Sequence, residues 1–83
     1  MASKSPKEIF DNIMMRNLEV EASELPGLKY RGIEKWDSMA HMDIVQELEE
    51  AFRIRMENLD ILRFSSYEKG IEILAEYGVD ISL

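Results

Sequence analysis

The sequence predicts an all-α protein: a small four-helix bundle with a long loop between helices one and two and a short third helix. Three observations lead there. Apolar residues recur at helical spacing in three separate stretches. Ser-x-x-Glu patterns stand in front of two of those stretches and mark helix starts. No stretch shows the strict apolar–polar alternation or the tight-turn signal of a β-hairpin.

The first helix is expected over about residues 6–17. Ser5-Pro6-Lys7-Glu8 forms a capping box with proline at the first helical position, and Ile9, Phe10, Ile13 and Met14 follow on one side. From Leu18 to Lys35 the periodicity fades, and Pro26-Gly27 and Gly32 interrupt it. A connection this long in a small domain is commonly functional or packed down on the core. Leu25, Leu28, Tyr30 and Ile33 are the residues that would pin it. The second helix should run from Ser38 to Phe52, with Ile44, Val45, Leu48 and Phe52 as its inward stripe. A short third helix near Asn58–Leu62 would turn Leu59 and Leu62 inward. Ser65-Ser66-Tyr67-Glu68 reads as a second capping box. It would start a fourth helix that sends Tyr67, Ile71, Leu74 and Ala75 to the core and ends at Gly78. The tail Val79-Asp80-Ile81-Ser82-Leu83 could be extended, but is too short to build a sheet.

Residues 1–83 read as one domain, 46% hydrophobic and 33% charged, which is ordinary for a folded chain. A domain of this size buries only ~60% of its unfolded surface and has little material for a deep catalytic cleft. The net charge of −7 works against nucleic acid and anionic lipid and favours basic protein partners. With no cysteine, disulfides and thiolate metal sites are excluded. No apolar run approaches the ~20 residues of a membrane span, and the N-terminal stretch lacks the apolar segment of a secretory signal. A cytoplasmic, monomeric protein without membrane insertion is expected.

The candidate functional segment is Trp36-Asp37-Ser38-Met39-Ala40-His41-Met42-Asp43. Ser38 and His41 share a helical face, but Asp37 points about 100° away from Ser38, and no G-x-S-x-G elbow is present. Serine catalysis is therefore not expected, and the protein is read as a non-enzyme. His41 lacks a second ligand at a metal-binding spacing and reads as a surface polar residue early in the helix. Asp37 can serve as the N-cap, which leaves the Ser38 hydroxyl free in solvent at the positive end of a helix dipole. An anionic phosphodiester would suit that place.

The run from Trp36 to Phe52 resembles the D-S-L signature and following acidic helix of acyl carrier proteins. Its D-S-M form is similar to that of D-alanyl and other aminoacyl or peptidyl carriers. The likeness extends over nearly the whole chain, to the long loop before Asp37 and to the final-helix stretch beginning at Arg63. It implies a bundle of acyl-carrier type with 4′-phosphopantetheine attached covalently to Ser38. A phosphopantetheinyl transferase would install the group from coenzyme A, with Asp37 as the motif aspartate that assists the transfer. The arm's thiol would carry acyl groups as thioesters, so the missing sulfur would arrive with the cofactor. Implied partners are an acyl- or aminoacyl-activating enzyme and synthases or transferases with basic docking patches. Met39 for the commoner leucine raises the share of an aminoacyl carrier, and Trp36, where many fatty-acid carriers have a small residue, points away from a housekeeping fatty-acid carrier and toward specialised biosynthesis. An aminoacyl carrier is the alternative.

The partner face follows from surface position. Asp43, Glu47, Glu49 and Glu50 form an acidic strip with no lysine or arginine between Trp36 and Phe52. Such a strip raises encounter rates with basic patches in a salt-sensitive way, although each acid alone could be only a solvated helix exterior. The resemblance assigns Asp43, Glu49 and Glu50 to recognition; Glu47 is added from geometry. Met39, Met42 and Met56 could supply adaptable apolar contacts, with Met42 divided evenly between surface and core. A reading from another class is an acidic helical interaction module that needs no prosthetic group.

Overall fold

The computed structural model describes residues 4–81. The first three residues, part of the stretch read against a secretory signal, and the last two, part of the C-terminal tail, lie outside the described residues. Four helices follow in order: α1 Pro6–Leu18, α2 Ser38–Phe52, α3 Asn58–Arg63 and α4 Tyr67–Glu76. A single 3-10 turn at Ala22–Glu24 interrupts the long loop and was not foreseen. Among the described residues the only β pairing is an isolated antiparallel bridge between Lys29 and Ser66.

The predicted caps of α1 form as expected. Ser5 accepts from the Glu8 N–H while the Glu8 carboxylate accepts from the Ser5 N–H. The cap of α4 corrects the sequence reading by one residue: Ser66, not Ser65, accepts from the Lys69 N–H at 3.0 Å. Glu68 does not close a box there. Its carboxylate reaches across to the Gly27 N–H in the long loop, 2.8 Å away. At the other end of α4, Gly78 takes φ +85°, and the N–H groups of Gly78 and Val79 satisfy the Ala75 and Leu74 carbonyls. This paired termination needs a left-handed residue, which glycine supplies without strain.

The loop from 19 to 37 is fastened along its length. Leu25 is buried, and Leu28, Tyr30 and Ile33 pack against the core as partly buried side chains. Tyr30 N–H donates to the Ser65 carbonyl and Tyr67 N–H to the Leu28 carbonyl, each at 2.9 Å. The loop thus pairs with the α3–α4 connection, and its backbone groups find the partners that a buried chain requires.

The core joins Phe10, Ile13, Met14 and Leu18 of α1 to Ile44, Val45 and Leu48 of α2 and to Tyr67, Ile73 and Leu74 of α4. Phe10 stacks on Tyr67 with ring centroids 5.3 Å apart. Gly70 of α4 meets these rings so closely that an added Cβ would lie 2.5 Å from Phe64 and 3.1 Å from Phe10. Three inward assignments in α2 and α4 differ from expectation. Phe52 and Ile71 are only half-buried and Ala75 is exposed, while Ile73, not assigned inward, takes the core place. In α3 the expected face is inverted: Leu59 and Leu62 are 68% and 79% exposed, and Ile61 packs inward. The reason is the pair of ties that set the helix's rotation. Tyr77 donates to Asp60 at 2.6 Å from the α4 side, and the Ile61 carbonyl meets His41 from the α2 side.

Candidate functional site

At the start of α2 the backbone of Asp37 is extended (φ −102°, ψ −173°), so the chain enters the helix one residue later, at Ser38. The Asp37 side chain accepts from the Ala40 N–H at 2.9 Å, and its carbonyl accepts from the His41 N–H, also at 2.9 Å. Asp37 therefore caps the helix by itself. Ser38 is left as the first helical residue, exposed, at the positive end of a 15-residue helix. A serine in that position can be approached from solvent without disturbing the cap.

His41 is not the surface residue that the sequence suggested: it is buried, with 9% of its surface exposed. Trp36 Nε1 donates to His41 Nδ1 at 3.0 Å, and His41 Nε2 lies 2.9 Å from the Ile61 carbonyl. An indole N–H can only donate and a carbonyl can only accept, so these partners assign the neutral tautomer with its proton on Nε2. Tyr30, Trp36 and Phe64 surround the imidazole with centroids 5.0 to 6.1 Å away. Both nitrogens are occupied, so His41 has no lone pair to offer a metal and no nitrogen to serve Ser38 as a base. A signal for its burial was present: His41 stands three residues before Ile44 and four before Val45, on the inward stripe.

Between α2 and α3 a cleft of about 220 Å³ opens beside Ser38. Ser38, Met42 and Leu62 belong to its exposed rim, whereas His41 and Phe64 are its buried lining residues. Tyr30, Ile61 and Ser65 complete the lining, which includes no charged side chain. The opposite flank of the same helix start is charged. Arg16, Lys35, Asp37 and Asp43 line a second depression there, with Lys35 paired to Glu19 at 2.9 Å. No protein-family model, curated protein or solved structure matches the chain.

The residues expected to meet partners divide into two sets. Met39 and Met42 are 76% and 50% exposed, which resolves the even division for Met42 in favour of the surface. Asp43 and Glu50 are exposed as expected. Glu47 instead binds Arg16 at 2.7 Å and Asn17 at 2.9 Å, tying α2 to α1. Burial pushes its carboxyl pKa up, but the Asn17 and Arg16 hydrogen bonds outweigh that and leave it below the usual range. Glu49 accepts from the Met56 N–H at 2.8 Å and so holds the turn after α2. Met56 lies in the core at 5% exposure and presents no contact surface, contrary to expectation. Its position follows from the tight exit of α2, where Arg53 adopts the left-handed conformation (φ 55°) and turns the chain back. Leu59 and Leu62 of α3 join Met39 and Met42 in the outward apolar surface.

Proposed function

We propose that this chain is a discrete carrier protein with 4′-phosphopantetheine on Ser38, delivering acyl groups to partner enzymes of a biosynthetic pathway. The observation that carries this reading is the division of labour at the start of α2. Asp37 holds the Ala40 N–H, and Ser38 keeps an exposed hydroxyl at a helix N-terminus. The site fits the group in three respects. The hydroxyl is accessible to a transferase, the helix end favours a phosphodiester anion, and an uncharged cleft starts at the same residue. When bound, the group supplies a thiol on a flexible arm, on which an acyl group is held as a thioester.

Attachment forms one bond from Ser38 Oγ to the phosphorus next to the pantetheine. It breaks the pyrophosphate linkage of coenzyme A, releases adenosine 3′,5′-bisphosphate and loses the serine proton. The Asp37 oxygen not engaged by Ala40 is the one that would assist magnesium in that transfer. The cleft favours acyl over aminoacyl cargo, because a cargo ammonium would find no carboxylate among the lining residues. Incubation with coenzyme A, magnesium and a broad-specificity phosphopantetheinyl transferase tests the proposal by intact mass. A single adduct is expected; an unchanged mass contradicts it.

A second reading, an interaction module without prosthetic group, draws on Met39, Met42, Leu59 and Leu62, which are all exposed apolar side chains. It predicts that Ser38→Ala retains every partner and phenotype, whereas the carrier reading predicts complete loss of function.

A further inference from the structure

We propose that His41, backed by Trp36, is the residue that sets the length of cargo this protein shelters, by closing the buried end of the cleft that begins at Ser38. The inference rests on reading Ser38 as the tether. An apolar cavity of roughly 150 Å³ holds a benzene molecule, so a cleft of about 220 Å³ takes about eight carbons.

The stop is identified by what lies behind each wall. Ser38, Met42, Leu62 and Ser65 are exposed, so they form the open side. Phe64 and His41 are the buried lining residues, and both rings rest on Trp36, which is fully buried. Phe64 is packed from behind by Gly70 and has no polar tie in its ring. His41 is different because both of its nitrogens are bonded, one to the indole N–H and one to the Ile61 carbonyl on the far side of the cleft. The second bond bridges α2 and α3, the two helices whose separation sets the width. A longer chain could advance only by breaking that bridge and leaving a half-buried carbonyl, or the buried imidazole nitrogen or indole N–H, without a partner. A shorter chain fills the cleft at no such cost.

The test uses the full chain in solution with free S-butanoyl-, S-octanoyl- and S-dodecanoyl-pantetheine, read by backbone amide shifts. In the natural chain, affinity should rise from butanoyl to octanoyl by up to roughly fourfold per methylene buried. It should then level off, with dodecanoyl no tighter than octanoyl. His41→Asn keeps an acceptor for the indole N–H but removes the distal half of the ring, and dodecanoyl should then bind about tenfold tighter than octanoyl. Continued tightening to dodecanoyl in the natural chain overturns the proposal, and so does absence of binding by all three probes. An unchanged length profile in folded His41→Asn overturns it as well. If that variant does not fold, the profile of the natural chain decides. The free probes need no covalent attachment. A chain that gains no mass adduct but shows the length cut-off loses the carrier reading alone, and the reverse result removes only the role of His41.

Discussion

The α1–α4 side of the bundle and the α2–α3 side are built by different kinds of contact. On the α1–α4 side, Phe10 stacks on Tyr67, and Gly70 lets rings approach at van der Waals distance. The buried Asp11 takes the Tyr67 hydroxyl at 2.6 Å and the Lys7 ammonium as well. Burial first, and then that hydrogen bond, holds the Tyr67 phenol protonated well above its ordinary range. On the α2–α3 side, four large apolar side chains stand in solvent and a cleft separates the helices. The tie across that cleft is the bond from His41 to the Ile61 carbonyl. One side is packed for rigidity; the other keeps surface and space in reserve beside Ser38. The difference separates residues that hold the fold from residues left free to meet something else.

Substitutions can break that contrast. Phe10→Ala should have the largest effect, about 3–5 kcal/mol of stability by urea unfolding, because it removes a fully buried ring from the packed side. Against a typical total of about 5–15 kcal/mol, this would bring the domain near its limit. Gly70→Ala should cost about 1–3 kcal/mol through the forced shift of Phe64, partly offset by better helix propensity. Equal stability of the natural chain and Gly70→Ala would show that Phe64 has room to move. Asp37→Ala should cost roughly 0.5–2 kcal/mol as the loss of a cap, although Asp37 is exposed.

The smallest effect is a pH dependence carried by two carboxylates. Asp60 lies below its usual range because Tyr77 donates to it, against a smaller effect of burial and with help from Arg63. Glu47 is lowered by Asn17 and Arg16, as described above. A folded pKa below the unfolded value contributes stability that is full above the unfolded pKa and is lost as pH falls through the folded one. The melting temperature should therefore be level near neutrality and fall below about pH 4, where free carboxylates titrate. Tyr77→Phe should make that fall shallower, and an unchanged slope would remove Asp60 from the account.

Much of the helical framework was legible in the sequence, because local rules determine it. Ser5-Pro6-Lys7-Glu8 formed its cap, Asp37 capped the second helix, and Ser38–Phe52 is the span of α2. The departures arise from long-range partners that no local pattern contains. Glu68 left its own helix start for Gly27, so the cap moved to Ser66. Tyr77 and His41 set the rotation of α3, so Leu59 and Leu62 face out. Glu47 and Glu49, which looked like partners for other proteins, were drawn to Arg16, Asn17 and the Met56 N–H of the same chain. His41 is a departure of another kind: the sequence reading put it on the surface, although its spacing to Ile44 and Val45 already offered the signal for the inward face.

The most direct test of the central claim sets the natural chain beside Ser38→Ala, each treated with coenzyme A, magnesium and transferase and then mapped by peptide mass spectrometry. A phosphopantetheine adduct confined to the peptide containing Ser38 is expected, with no adduct in the variant and unfolding free energies equal within about 0.5 kcal/mol. An adduct on another residue, no adduct at all, or a large loss of stability in Ser38→Ala would contradict the claim.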